Sequence, residues 1–130
     1  MVMSNYGKYK WVVMKGILFL YLSLSFVFSA DYLSPSSISK SPDEKTIYIA
    51  CSTAAKVIAF SVEKEAVAKT FQLKENPSAI AVSRDGKYLF VGCPSSESAV
   101  YMIDIETGKN AKKFKAGHTV KALLTTANGK

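Results

Sequence analysis

PSAIAVSRDGKYLFV, residues 77–91, decides the fold, because the chain repeats it. Residues 35–49 read PSSISKSPDEKTIYI, and residues 120–130 read VKALLTTANGK. Each copy is a short apolar run followed by a polar turn that ends on Lys. Where the chain continues, an apolar strand follows. Pro35 maps onto Pro77 at a step of 42, and so do Ile38 onto Ile80, Ser41 onto Ser83, Asp43 onto Asp85, Lys45 onto Lys87 and Cys51 onto Cys93. One residue is then inserted within residues 94–99, and the step becomes 43: Val57 onto Val100, Glu63 onto Glu106, Phe71 onto Phe114 and Pro77 onto Val120. A supersecondary unit repeating every 42–43 residues has the length of a four-stranded propeller blade.

Local chemistry agrees. Residues 36–40 and 78–82 read as short first strands. Ser41-Pro42-Asp43-Glu44-Lys45 and Ser83-Arg84-Asp85-Gly86-Lys87 read as turns. Asp-Gly supplies the positive φ of a tight hairpin, and Pro presets φ early in a turn. Residues 46–51 and 88–93 are second strands, β-branched and aromatic in content. Third strands follow at 56–62 and 99–105, and fourth strands at 67–73 and 110–115. A helical reading fails, because these runs are four to six residues long and end in turn chemistry.

The strand faces sharpen this into stacked sheets. Leu89 and Val91 point one way, Tyr88 and Phe90 the other. Tyr101, Ile103 and Ile105 oppose Val100 and Met102. Both faces are apolar near the middle, whereas a sheet with one wet face alternates apolar and polar. The fourth strands carry Lys69, Gln72, Lys112, Lys113 and Lys115, as solvated outer edges should. The expected fold is all-β: consecutive four-stranded antiparallel blades of a β-propeller, with one blade over 35–76, a second over 77–119 and the start of a third over 120–130. Two blades do not close a ring, which takes at least four. A piece of a longer propeller and a chain that closes by self-association both fit.

The formal charge of +7 is concentrated at the start. Without Lys8, Lys10 and Lys15 the remainder carries 14 basic against 10 acidic residues, too mild a balance to imply a nucleic-acid partner. Those lysines precede GILFLYLSLSFVF, residues 16–28, and Ser29 and Ala30 follow it. A charged region, a short apolar core and small residues are the layout of a secretory signal peptide. Residues 1–30 are therefore read as the signal peptide helix, with the true start at Met1 or Met14. Cleavage fits after Ser29 or after Ala30. A membrane contact would come only through an uncleaved leader. The expected location is exported: periplasmic, cell-surface or extracellular.

Few residues carry chemistry. Cys51 and Cys93 occupy equivalent positions on adjacent sheets. Packed sheets lie about 10 Å apart and a disulfide needs Cα atoms within about 7 Å, so two buried thiols are expected, not a bridge. His118 is the only histidine and no Cys-x-x-Cys is present, so no metal or haem set is indicated. Asp43, Asp85 and Asn128 recur at one turn position, too few oxygens for calcium and suited to Asx turns. Asp104 is placed to cap the turn that follows it. No catalytic residue, cofactor-binding residue, metal site or cofactor is assigned.

On Tyr48-Ile49-Ala50 and Phe90-Val91-Gly92, each preceded by a Ser-x-Asp-x-Lys turn, the chain resembles the YVTN family of β-propeller repeats. Pro77, Ile80, Ser83, Asp85, Gly86, Lys87, Leu89, Phe90 and Val91 match that blade pattern, as do Ile103, Asp104, Thr107 and Gly108. The first blade departs at Glu44, which replaces Gly, and at Ser61, which replaces Asp; Cys51 and Cys93 stand where the family favours Asn. WD-type repeats fit less well, since Gly117-His118 lacks a following Trp-Asp. The resemblance implies an exported, non-catalytic propeller acting as a binding module or as a surface or periplasmic scaffold. Its partners would be a protein or cell-surface component and the remaining blades, in cis or by self-association. The alternative it implies is the N-terminal part of a propeller-containing periplasmic enzyme or electron-transfer protein of lactonase, quinone-linked or cytochrome-linked type. The expected partner-contact loop is Pro94, Ser95, Ser96, Glu97 and Ser98, where the second blade departs in length from the first.

Overall fold

The structure, a computed structural model, describes residues 32–95 and 97–126. The leader, the end of the third copy and Ser96 lie outside the described residues. Among the described residues, eight strands follow one another: β1 Pro35–Lys40, β2 Thr46–Cys51, β3 Lys56–Ser61, β4 Ala66–Gln72, β5 Ala79–Val82, β6 Tyr88–Cys93, β7 Ala99–Asp104 and β8 Asn110–Lys115. They form two four-stranded antiparallel sheets, ordered β1-β2-β3-β4 and β5-β6-β7-β8. The all-β architecture of consecutive antiparallel four-stranded units read from the repeat is the one observed.

The repeat extends to irregularities. The pairing slips between Ala59 and Phe60 in the first sheet, and between their counterparts Met102 and Ile103 in the second. A bulge raises local twist, so both sheets twist at the same place. The first turns are also built alike. Ser41 Oγ donates to Asp43 Oδ1 at 2.5 Å, and the amides of Lys45 and Thr46 donate to Asp43 Oδ1 and Ser41 Oγ at 3.1 and 2.9 Å. Ser83, Asp85, Lys87 and Tyr88 repeat this network with the same three distances. Gly86 takes φ +70° easily, whereas its counterpart Glu44 holds φ +61° with a side chain in the way.

One apolar cluster joins the sheets. Tyr48, Ala50, Val57, Ala59 and Phe71 from the first meet Ile80, Val82, Leu89, Val91 and Ile103 from the second, with Tyr101 and Ile105 packed against them. This is one face of β2–β4 closing on one face of β5–β7, as the two-sided apolar pattern requires. Lys69 pins the outer edge of the junction. Its ammonium lies 5.2 Å from the Phe71 ring centroid and donates to the carbonyls of Ile105 and Glu106, both at 2.7 Å.

β1 and β5 run side by side at the inner edge. Ser36 Oγ donates to the Pro77 carbonyl at 2.9 Å, and the Ile80 amide donates to Ser37 Oγ at 3.2 Å. One repeat later Ser78 Oγ donates to the Val120 carbonyl at 2.5 Å, and Thr125 Oγ1 to the Val82 carbonyl at 3.1 Å. Residues 120–126 therefore lie beside β5 as β5 lies beside β1, without a strand partner of their own among the described residues.

Candidate functional site

Four places concentrate chemistry: the repeated turns, the rim loop after β6, the cleft at the sheet junction, and the open face of the second sheet.

At the turns the carboxylates are consumed by the backbone. Asp43 and Asp85 are held below the usual carboxylate range, first by the Ser41 and Ser83 hydroxyls and then by the Lys45 and Lys87 amides. Asp104 is also lowered, first by the Thr107 amide at 2.8 Å and then by the Thr107 hydroxyl at 3.0 Å. Each carboxylate caps a turn, as the sequence suggests. Among the described residues, no group of three or more His, Cys, Asp or Glu is placed to hold a metal ion.

In the rim loop, Pro94, Ser95 and Glu97 are exposed, and Ser96 lies outside the described residues. Ser98 is 1% exposed. Its hydroxyl donates to the His118 carbonyl at 2.8 Å and to the Ser95 carbonyl at 3.2 Å. It ties the loop to the segment that leaves β8, which leaves Pro94, Ser95 and Glu97 as the exposed part of the loop among the described residues. Glu97 stands 4.0 Å from Lys115, with both side chains in solvent. His118 itself is exposed, on the link to residues 120–126.

The junction cleft, about 470 Å³, is lined in part by Glu75, Cys93, Tyr101, Asn110 and Lys113. Tyr101 donates its hydroxyl to Glu75 Oε1 at 2.7 Å, and Lys113 lies 5.0 Å from the Tyr101 ring and 3.9 Å from the same oxygen. The Glu75 hydrogen bond leads the causes that hold the Tyr101 hydroxyl above its ordinary value. Glu75 Oε2 is shut away from solvent and has no hydrogen-bond partner among the described residues. Sequence reasoning missed this cluster. Glu75, Tyr101 and Lys113 replace a simple repeat, since their counterparts are His118, Ile58 and Thr70. Cys93 sits beneath them, and burial, with Glu75 second, pushes its thiol up to about 11. Cys51 is raised by burial too, and both cysteines are free. Neither is a poised thiolate.

The open face carries a groove of about 500 Å³, walled by Tyr88, Phe90 and Val100 of the second sheet and by Leu123 and Leu124. Its counterpart on the first sheet is the face filled by the second. The burial contrast is direct: Phe71 is 3% exposed, and its counterpart Phe114 is 39% exposed.

A family model described as "Lactonase, 7-bladed beta-propeller" matches residues 25–123. The chain belongs to that family of seven-bladed β-propellers. Hydrazine synthase of Kuenenia stuttgartiensis is similar in structure, with TM-score 0.71 and 25% identity over 82% of this chain and 30% of that one. U3-55K is similar with TM-score 0.60 and 21% identity, covering 69% of this chain and 29% of that one. The Cps50 (Swd1) propeller domain of Myceliophteria thermophila gives 0.59 and 18%, covering 68% and 27%. These likenesses show the propeller fold, and the chain spans less than a third of the length of each. No curated protein matches the chain.

Proposed function

We propose that this chain is an exported, non-catalytic propeller module that binds a protein or cell-surface partner, with its open sheet faces completed by further blades in cis or by self-association. The observation that carries this reading is where the reactive side chains have gone. Asp43, Asp85 and Asp104 are spent on turn amides, and both thiols are buried and protonated. Pro94, Ser95 and Glu97 are left to solvent on a loop, and loops held by a rigid scaffold commonly carry a protein's contacts. The leader sequence supports export.

The contact is assigned to the loop after β6, through Pro94, Ser95 and Glu97. The test replaces residues 94–98 with the shorter serine-rich loop of the first sheet, residues 52–55, in the full chain. Binding to the envelope fraction of the source cells is then measured. The module reading expects a loss of about tenfold or more, equivalent to about 1.4 kcal/mol. Unchanged binding removes the loop from the reading.

A second reading is favoured by the family match and by the likeness to hydrazine synthase. In it the chain is the N-terminal part of a propeller-containing enzyme or electron-transfer protein. Fold alone does not choose between the two. Turnover of a lactone by the purified full chain would favour the enzyme.

A further inference from the structure

The cleft at the sheet junction is built from residues that break the repeat, and both of its walls belong to this chain. Leu73 and Glu75, on the link that leaves β4, form one side; Tyr101 and Ile103 of β7 and Lys113 of β8 form the other. Tyr101 and Lys113 are cross-strand partners, so their side chains share one face of the sheet. Blade packing does not require these polar groups, since the counterparts of Tyr101 and Lys113 in the first sheet are Ile58 and Thr70. Glu75 and Lys113 keep 32% and 51% of their side chains in solvent, and an ion pair that wet adds little stability. We propose that the cleft binds a saccharide residue, whose neighbouring hydroxyls bridge Glu75 and Lys113 and whose C–H face rests on Leu73 and Ile103. This goes beyond the loop contact, because the cleft shares no residue with the loop 94–98.

The chemistry of the lining selects this ligand. Among the described residues Glu75 accepts one hydrogen bond, from the Tyr101 hydroxyl at 2.7 Å, where a carboxylate can take about four. Its Oε2 has no partner, so a donor arriving at this carboxylate meets unused acceptor capacity. Lys113 can only donate, and its nitrogen stands 3.9 Å from Glu75 Oε1. An acceptor-only group this close to a donor-only group calls for a ligand whose neighbouring atoms both donate and accept. A hydroxyl does both, and adjacent hydroxyls on a ring supply two such atoms side by side. The charges of Glu75 and Lys113 offset each other, so a neutral ligand leaves neither unpaired; Lys74 adds an exposed donor at the rim. Leu73 and Ile103 supply the apolar surface that a sugar's C–H face needs. The volume of about 470 Å³ falls within the range of small-molecule sites, about 300–1,000 Å³.

The test screens the purified full chain on a printed array of neutral, acidic and amino-sugar glycans, then titrates the strongest ligand by calorimetry. The expected result is binding of neutral glycans, with saturation-transfer spectra that mark the C–H protons of one ring face. Glu75→Gln keeps the shape of the side chain and removes its charge, and it should weaken binding about tenfold or more. Lys113→Met, at an exposed position, should do the same, and Lys64→Met, on a turn outside the cleft, should change nothing. Competition by the free monosaccharide assigns the cleft to a single sugar; competition by oligosaccharides alone assigns it to a ring within a glycan chain. An array without a bound glycan overturns the proposal. So does binding confined to acidic glycans, which would make Lys74 and Lys113 an anion site. Binding that survives both Glu75→Gln and Lys113→Met, with native circular dichroism, overturns it as well. Replacement of residues 94–98 leaves the cleft residues in place, so failure of the loop contact and failure of the sugar site are read separately.

Discussion

Gly92 and Val120 make the sharpest energetic test of the inner edge. A Cβ added at Gly92 would stand 2.4 Å from Val120 Cγ1, 3.1 Å from its Cβ and 3.5 Å from Leu123 Cδ1. Carbon atoms rest at about 3.5–4.0 Å, so in Gly92→Ala the Val120 side chain must retreat by about 1 Å. Overpacking of this kind costs about 1–3 kcal/mol. Alanine returns roughly 0.5–1 kcal/mol by restricting the unfolded chain. The loss has a ceiling, because residues 120–126 can lift away and forfeit the burial of Val120, worth about 1.5–2 kcal/mol, while water replaces the Ser78 and Thr125 hydroxyl bonds. The net expectation for Gly92→Ala is a loss of about 0.5–1.5 kcal/mol in urea unfolding. In a Val120→Ala background the 2.4 Å contact is gone, and the same substitution should cost less than about 0.5 kcal/mol. The first sheet supports this, since Ala50 there faces the chain where Pro77 stands in place of Val120. An equal cost of Gly92→Ala in both backgrounds, or no cost in either, would show that Val120 does not crowd this position.

Phe71→Ala should cost about 3–5 kcal/mol as a large-to-small change in a packed core, and Phe114→Ala less than about 1 kcal/mol in the dilute monomer, both by urea unfolding. Glu44→Gly should stabilise by about 0.5–1 kcal/mol, since a positive φ strains a side chain by about 1–2 kcal/mol and glycine gives back part of that in entropy; the thermal midpoint reads it. Asp43, Asp85 and Asp104 all have folded pKa values below the ordinary 3.8. Carboxylates lowered in the native state contribute stability that is fully present above that value and is lost as pH falls through the folded pKa. The urea midpoint should therefore drop below about pH 3.8, and Asp85→Ala should flatten that acid limb.

Much of the fold was legible, because a twofold repeat supplies its own check. β2, β6 and β8 begin and end where the residues predict, since turn chemistry brackets them. β1, β3, β5 and β7 differ by a residue at one end, and β4 by a residue at both. β4 starts at Ala66, ahead of the expected 67, and a bulge at Ala59/Phe60 shifts its pairing. A bulge carries no residue signature here beyond recurring at Met102/Ile103. The buried thiols and the turn-capping carboxylates were legible too, from spacing alone.

The site was less legible, for physical reasons. Ser98 sits in a serine-rich stretch and reads as loop surface. Only the three-dimensional path of the chain after β8 brings the His118 carbonyl to its hydroxyl. Lys69 reads as a solvated edge lysine, yet its long side chain crosses to the neighbouring sheet, which no one-strand pattern encodes. The cluster of Glu75, Tyr101 and Lys113 spans three elements, and its one sequence signal is departure from the repeat. The exchange of Ala50 and Pro77 for Gly92 and Val120 was also readable in that comparison.

Native-state hydrogen exchange decides whether the two sheets are stacked blades sharing one core. The amides of β2, β3, β6 and β7 should open with one common free energy, and Leu89→Ala, placed wholly in the second sheet, should lower protection in all four strands together. Exchange of β2 and β3 at their own lower free energy, untouched by Leu89→Ala, would show two independent sheets and contradict the account.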